Sequence, residues 1–178
     1  MGYGMLGDLL GVPPIKRRVF VSYHHQGDRS YYDAFSRQFA ENYDVVHDSS
    51  VERVIGSNNA EYVIRKIRES YISGSSCTVV LCGGQTPGRK FVDWEIKATL
   101  DKEHGLIGVN LPTNPTQQNG AVLVPDRLHD NVASGYAIWL QWNEVVLYPT
   151  HLAAYIEEAN GRSKDRIRNM RALVSRNT

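Results

Sequence analysis

Two stretches decide the fold of this chain: VFVSYHH at Val19–His25 and GGQTPGRKFVDWE at Gly83–Glu95. The first is an apolar strand that ends abruptly in hydroxyl, aromatic and imidazole side chains. The second is a glycine-rich turn that opens a helix, and this helix carries the Glu95 carboxylate one turn after Phe91. Because ligands bind outside the carboxyl ends of the strands in a parallel α/β sheet, we expect both stretches at one ligand-binding edge.

Strands and helices alternate over the first two thirds of the chain. The predicted strands are short, apolar and located at about 18–23, 43–47, 77–82 and 106–111. Helical spacing of apolar residues follows a capping-box pattern at Ser30 and Asp33, and recurs over 60–71 and 89–102. This βαβαβαβ order predicts an α/β fold with a parallel sheet, right-handed crossovers and helices on both faces.

The pattern becomes looser after residue 111. The predicted elements are a loop at 112–120, strands at 121–124 and 136–142, and helices at 149–159 and 163–174. The last helix is rich in arginine, with an apolar stripe formed by Ile167, Met170 and Val174. We expect it to dock with a solvated basic face. An acidic partner or a nucleic-acid backbone at that face is the alternative.

Length and composition are those of one ordinary globular domain, with 178 residues, 42% hydrophobic and 22% charged. We expect an N-terminal arm at 1–16 and one domain at 17–178 that includes a C-terminal helical extension. A formal net charge of +1 favours neither nucleic acid nor an anionic membrane as a partner. The sequence also lacks an apolar run of the length that a membrane helix needs.

The cysteine pattern argues against disulfides and zinc. Cys77 and Cys82 lie in one predicted strand at an odd spacing, which places them on opposite faces. We therefore expect them not to pair, and because no Cys/His cluster has zinc-ligand spacing we expect no metal site. Unpaired thiols fit a reducing environment, so the predicted localisation is cytoplasmic.

Other catalytic motifs are incomplete. Gly83–Gly88 resembles a nucleotide-binding P-loop, but Arg89 and Lys90 stand where that loop has Lys and Ser or Thr. P-loop hydrolysis is therefore not expected, although the backbone N–H groups of the turn, including that of Gly83, could face a diphosphate. The sequence also lacks a histidine pair with metal-ligand spacing on a predicted helix and the Gly-x-Ser-x-Gly motif of serine hydrolases.

Glu95 is the candidate catalytic residue. The packed face of its helix is expected to consist of Val92, Ile96, Thr99 and Leu100. Glu95 stands on the shoulder of that face, on the same side as Phe91, so we expect it to be neither fully buried nor freely solvated. Geometry alone leaves open whether such a carboxylate caps, forms a salt bridge or catalyses. Trp94 points elsewhere, into packing or a partner surface.

Three segments in this order resemble the Toll/interleukin-1 receptor (TIR)-like domains, especially the branch typified by the Thoeris antiphage protein. They are Val19–His24, the strand and loop Ser76–Thr86, and the helix Phe91–Lys97. The likeness covers about residues 17–112 and implies a flavodoxin-like sandwich. By position it implies that Glu95 is catalytic and that Phe20, Ser22, Tyr23, His24, Asp48 and Phe91 bind substrate, to which the glycine-rich turn adds Gly83. Phe91 replaces a residue that is often Trp in the family.

Catalytic members of this family cleave the bond between nicotinamide and ribose in NAD, so the resemblance implies NAD as substrate without a resident cofactor. One carboxylate suffices, because the pyridinium leaves as a neutral molecule and needs no general acid. Phe20, Tyr23 and Phe91 are candidates to stack on a ring of the substrate. The Thoeris resemblance favours a cyclic or modified ADP-ribose that diffuses to an effector protein, and self-association or another TIR-like protein as partner.

Two alternatives remain at this stage. The first is a non-catalytic TIR-like interaction module, in which Trp94 and the surface helices mediate assembly. The second borrows the related nucleoside deoxyribosyltransferase architecture, with Glu95 as a covalent nucleophile. The presence of a glutamate at the matched helical position favours the NAD-consuming enzyme.

Overall fold

The computed structural model describes residues 16–47 and 59–178. The predicted site residue Asp48 lies outside the described residues, as does all of the predicted N-terminal arm except Lys16.

The centre of the described fold is a sheet of five parallel strands. The strands are β1 (Arg17–Ser22), β2 (Tyr43–Val46), β3 (Ser75–Cys82), β4 (Gly105–Asn110) and β5 (Ile138–Gln141). Their order across the sheet is β2-β1-β3-β4-β5. This is the order of flavodoxin-like folds. The predicted parallel α/β architecture is therefore confirmed.

Helices follow the strands and cover both faces of the sheet. They are α1 (His25–Phe39), α2 (Ala60–Ile67, extended by a π-helical turn at Arg68–Ile72), α3 (Lys90–Asp101), α4 (Asp126–Ala133), α5 (Trp142–Val146) and α6 (His151–Gly161). Two short 3₁₀ turns lie at Thr86–Gly88 and Lys164–Arg166.

Side chains of β1 alternate between two separate cores. Val19 and Val21 pack on the face covered by α1 and α6, whereas Phe20 packs on the other face with residues of α2 and α3. Cys77 and Cys82 of β3 also divide between the two faces, as predicted, and both are unpaired buried thiols. Burial raises the pKa of Cys77 to about 12 and also raises that of Cys82, so both stay protonated.

The first helix begins earlier than predicted. It starts at His25 rather than near Ser30, because the His24 carbonyl already accepts the backbone N–H groups of Gly27 and Asp28. A break in helical geometry at Asp28 (φ −121°, ψ 15°) joins two helical pieces. The capping-box prediction at Ser30 is therefore wrong, and Ser30 lies inside α1.

The region after β4 also differs from prediction. Residues 121–124 are irregular rather than a strand, because the Asn114 side chain donates to the Leu123 carbonyl (2.7 Å) and accepts from its N–H (3.3 Å). Those are the groups that a neighbouring strand would use. Helix α4 follows unpredicted, and the final strand ends at Gln141, where Trp142 opens α5.

The last twelve residues, 167–178, form an extended C-terminal segment where a basic helix was predicted over 163–174. The buried guanidinium of Arg127 explains the difference. It donates to the main-chain carbonyls of Asn169, Arg171 and Ala172 at 3.0–3.3 Å. In a helix over 163–174 the Asn169 carbonyl would instead accept the N–H of Leu173. The helical prediction is therefore wrong beyond residue 166.

An ion pair anchors this segment to α3. Arg127 is fully buried and donates to both carboxylate oxygens of Asp93, at 2.8 and 3.3 Å. Asp93 also accepts the backbone N–H of Val174 at 3.0 Å. Further along, Asn177 accepts the Lys90 N–H at the start of α3 (3.0 Å). The C-terminal segment thus lies along α3 as far as its N-terminus.

Helix α3 is consequently covered on two sides. All five consecutive residues from Val92 to Ile96 are buried, which a helix with a single packed stripe does not allow. The sheet covers one side, and the C-terminal segment covers the side that carries Asp93 and Trp94.

We predict that Arg127→Met lowers the free energy of unfolding by about 3–5 kcal/mol, since it leaves the Asp93 carboxylate buried without its cation. Urea denaturation followed by circular dichroism measures this. Arg29→Met is the matched control. It removes an exposed i,i+4 pair with Asp33 and is expected to cost less than about 1 kcal/mol. Equal losses in the two variants would contradict the anchoring role of Arg127.

Candidate functional site

The strand order creates a crevice between β1 and β3. The chain passes from β1 to β2 on one side and from β3 to β4 on the other. The carboxyl ends of β1 and β3 therefore form the topological switch point of the sheet. In open α/β sheets this is where ligands bind. Ser22 is the last residue of β1, and the loop after β3 leads into α3. Both stretches singled out in the sequence therefore meet at this edge.

Glu95 lies at the switch point. Its side chain is 5% exposed and accepts a hydrogen bond from the Ser22 hydroxyl at 2.5 Å. Thr99 supports the same turn of α3, because its hydroxyl donates to the Glu95 carbonyl (2.9 Å) and lies 2.7 Å from the Thr78 hydroxyl of β3. The predicted pairing of the β1 end with the α3 carboxylate is therefore present.

The exposure of Glu95 differs from the prediction. A position on the shoulder of the packed face was expected to be half-buried, but the side chain is buried. The helical wheel considered only the sheet as a packing partner of α3. The C-terminal segment supplies a second partner on the side of Asp93 and Trp94, and Val92–Ile96 are all buried. A carboxylate enclosed in this way is less screened by solvent than one on an open surface.

Four aromatic and imidazole rings form a cluster beside Ser22. Tyr23 stacks on Tyr32 (ring centroids 4.7 Å apart, 5° between planes) and on His25 (4.4 Å, 17°). His47, directly after β2, lies 4.2 Å from Tyr32 and 5.8 Å from Tyr23. The cluster therefore joins the ends of β1 and β2 to the start of α1.

This packing corrects two predicted stacking roles. Phe20 has no exposed surface and belongs to the core under α2 and α3, so its ring is closed to a ligand. Tyr23 already carries ring partners in parallel stacks, so its ring is not free to stack on a substrate either. Phe91 is only half-buried and meets Trp94 edge-on, with centroids 5.4 Å apart. Of the three predicted rings, Phe91 alone is partly exposed, with the Lys90 ammonium 5.0 Å from its centroid.

Two further predictions concern His24 and Trp94. His24 is buried directly after Ser22 and Tyr23, so the structure brings it to the same edge. Trp94 is also buried, and its indole N–H donates to the Val174 carbonyl at 2.9 Å. Of the two alternatives given for Trp94, packing is confirmed and a partner surface is not, because the C-terminal segment of the same chain covers the indole.

Gly83 contacts a residue that the sequence did not single out, the buried Asp28. The Asp28 carboxylate accepts hydroxyl hydrogen bonds from Thr113 (2.9 Å) and Thr86 (3.4 Å). A Cβ on Gly83 would lie 2.3 and 2.4 Å from its two oxygens. The Gly83 N–H donates to the Thr86 hydroxyl (2.9 Å). It is therefore not available for a diphosphate, contrary to the prediction. Asp28 thus fastens the segments that follow β3 and β4 to α1 at the edge of the sheet.

A sequence signal for Asp28 existed but was not specific. The acid lies a few residues after the strand that ends in Ser22, in a region expected to be a polar loop. Its partners Thr86 and Thr113 are distant in sequence. Only the parallel sheet brings these three segments together, so no local sequence pattern could have identified the contact.

Within the described ranges, no group of three or more His, Cys, Asp and Glu side chains could hold a metal ion. A helix long and apolar enough to cross a membrane is likewise not found in this part of the chain.

The strand order and the Ser22–Glu95 contact define a TIR-like α/β domain. The family described as Thoeris protein ThsB, TIR-like domain, matches residues 20–116, which is more than half of the chain. The chain therefore belongs to this family, and with it to the TIR-like proteins of antiphage defence. Among curated proteins, none matches the sequence.

We predict that Gly83→Ala lowers the free energy of unfolding by about 1–3 kcal/mol, because the new methyl group would overlap the Asp28 carboxylate. Gly161→Ala is the control, since nothing lies within 4 Å of its Cβ position, and it is expected to be neutral. Thermal denaturation measures both. The double variant Asp28→Ala, Gly83→Ala should lose less than the sum of its single variants. Strict additivity would show that the two residues do not collide.

Proposed function

We propose that this protein is an enzyme that cleaves the N-glycosidic bond between nicotinamide and ribose in NAD, with Glu95 as the catalytic residue. The observation that carries the proposal is the position of Glu95. Its buried carboxylate lies at the switch point of the sheet and is held by the Ser22 hydroxyl at 2.5 Å. Membership in the Thoeris TIR-like family supports the same assignment.

The chemistry needs a negative charge more than it needs a proton donor. When the bond between C1′ of ribose and the pyridinium nitrogen breaks, its electron pair goes to the nitrogen, and nicotinamide leaves neutral. Positive charge then develops on C1′ and the ring oxygen, as in glycoside hydrolysis. A preorganised carboxylate in a site shielded from water stabilises that charge far more than it would in bulk solvent.

Ser22 keeps the carboxylate in place for this role. The hydroxyl donates to one oxygen of Glu95 and comes from the rigid end of a central strand, so the orientation is set before substrate arrives. This carboxylate is the group that would face the ribose. Phe91 lies one turn earlier on α3 and is partly exposed, so we assign it to the planar nicotinamide ring.

The acceptor of the ribosyl cation decides the product. Attack on C1′ by water gives ADP-ribose, and attack by a hydroxyl of the same molecule gives a cyclic product; each releases one proton. We propose a cyclic or modified ADP-ribose that diffuses to a separate effector protein in antiphage defence, in keeping with the Thoeris family. Self-association or a second TIR-like protein is the proposed partner.

A non-catalytic interaction module has less support. That alternative relied on Trp94 and the surface helices for assembly, and of these Trp94 is buried by the C-terminal segment. An interaction surface alone also requires no buried carboxylate beside a strand end. Burial of an acid is costly unless hydrogen bonds compensate it.

We predict that Glu95→Gln, which keeps the shape of the side chain but removes its charge, lowers the rate of nicotinamide release from NAD at least about 100-fold. Liquid chromatography of reactions with purified protein measures this. Glu69→Gln, on the exposed surface of the π-helical turn, is the matched control and should retain the wild-type rate.

Circular dichroism should show that both variants remain folded. A Glu95→Gln protein that is folded and still releases nicotinamide at the wild-type rate would contradict the catalytic role of this carboxylate. Nicotinamide release that is lost equally in Glu69→Gln would show that the assay reports a property other than the charge at position 95.

A further inference from the structure

The far end of the C-terminal segment lies against the turn that opens α3. The Asn177 side chain accepts the backbone N–H of Lys90 at 3.0 Å, and the Thr178 N–H donates to the Gly88 carbonyl at 3.1 Å. A Cβ on Gly88 would overlap the hydroxyl and carbonyl oxygens of Thr178. Glycine at position 88 is therefore what allows the segment to approach the turn so closely.

Asn177 supplies a cap that α3 does not receive from its own N-cap residue. The first N–H groups of a helix have no partner within the helix, and a side chain at the N-cap position usually accepts one of them. Arg89, which occupies that position, makes no such hydrogen bond. Its guanidinium donates instead to the carbonyl and the side chain of Gln85. Asn177 thus takes over the capping role from 87 positions further along the chain.

The same segment also holds the ring that packs against Phe91. Trp94 meets the Phe91 ring edge-on, with centroids 5.4 Å apart, and its indole N–H donates to the Val174 carbonyl at 2.9 Å. Leu173 and Phe91 both pack against the core under α2 and α3. Phe91 is the second residue of α3, directly after Lys90. The backbone next to Phe91 and the ring beside it are therefore both fixed by contacts with the C-terminal segment.

Glu95 depends less on this cap. It lies in the second turn of α3, where its side chain accepts the Ser22 hydroxyl and its carbonyl accepts the Thr99 hydroxyl. A helix that loses its cap frays from the first turn. Loss of the cap should therefore displace Phe91 and leave Glu95 in place.

We propose that Asn177 is a positioning residue for the substrate, because its cap on α3 holds the Phe91 ring where it meets nicotinamide. The inference rests on the proposed function, since it takes Phe91 as the contact of the nicotinamide ring. Asn177 acts through the backbone of Lys90 and does not touch the substrate itself. The end of the C-terminal segment thereby joins the residues that determine the affinity for the nicotinamide half of NAD.

The test uses two ligands to separate positioning from a general loss of stability. NAD carries the nicotinamide that Phe91 is proposed to contact, whereas ADP-ribose lacks it. Isothermal titration calorimetry measures both in the Glu95→Gln background, so that turnover does not interfere. Asn177→Ala should raise the Kd for NAD about fivefold and leave the Kd for ADP-ribose unchanged. Asn177→Asp, whose carboxylate can also cap a helix, should retain the parent affinity for NAD.

Asn59 provides the matched control. Its side chain caps α2 by accepting the Tyr62 N–H at 3.1 Å, and α2 carries none of the candidate site residues. Asn59→Ala and Asn177→Ala should each lower the midpoint of thermal unfolding by about 2–4 °C, because each removes one cap. Only Asn177→Ala should weaken the binding of NAD.

A second pair of variants tests the contact with Gly88. Gly88→Ala should also raise the Kd for NAD, because the new methyl group would displace Thr178 and with it Asn177. A protein shortened after Arg176 lacks both of these residues and should bind NAD as weakly as Asn177→Ala does. In that shortened protein Gly88→Ala should have no further effect.

The inference is overturned if Asn177→Ala binds NAD as tightly as its parent does, or if it loses affinity for NAD and ADP-ribose equally. It is also overturned if Asn59→Ala weakens NAD binding to the same extent, or if the parent protein does not bind NAD. Failure of the proposed function is a separate result, which shows as nicotinamide release that does not depend on Glu95. A protein that needs Glu95 for turnover but not Asn177 for NAD binding keeps its function and loses this inference.

Discussion

The buried ion pair between Arg127 and Asp93 is the interaction on which the site depends. It fixes the C-terminal segment along α3, and the segment closes the side of that helix that the sheet cannot reach. Glu95 lies on the same helix two residues after Asp93 and faces the end of β1, so the ion pair helps to fix the helix that carries it. The Asp93 charge is neutralised by an arginine and serves the fold. The Glu95 carboxylate is held by the Ser22 hydroxyl at the switch point, where we propose that it acts on the substrate.

Three buried polar residues at the sheet edge show how structural and functional burial differ. Asp28 is bonded by Thr86 and Thr113 and joins loops, so its burial stabilises the fold. Glu95 accepts a hydrogen bond from Ser22 at the end of a rigid strand. Tyr23 is stacked on two rings and is 3% exposed, which closes its ring to a ligand. Burial at the sheet edge therefore does not by itself identify a ligand-binding group.

Local patterns predicted the sheet and the central pair of the site well. The alternation of strands and amphipathic helices predicted the parallel sheet. The polar end of β1 and the position of Glu95 predicted their contact at the switch point. The predictions that were wrong concern features set by contacts between residues distant in sequence. The basic C-terminal stretch has apolar residues at helical spacing, but it is extended, because Arg127 binds three of its main-chain carbonyls. Burial of Trp94 and the role of Asp28 likewise depend on residues far away in sequence, which no short window contains.

The central claim is that the ribose of NAD binds against the carboxylate that Ser22 holds at the switch point. A crystal structure of the Glu95→Gln variant with NAD tests this most directly. The account predicts nicotinamide ribose in contact with residue 95 at the carboxyl ends of β1 and β3, with Phe91 at the nicotinamide ring. NAD bound elsewhere on the molecule, with residue 95 still enclosed and out of contact, would contradict it.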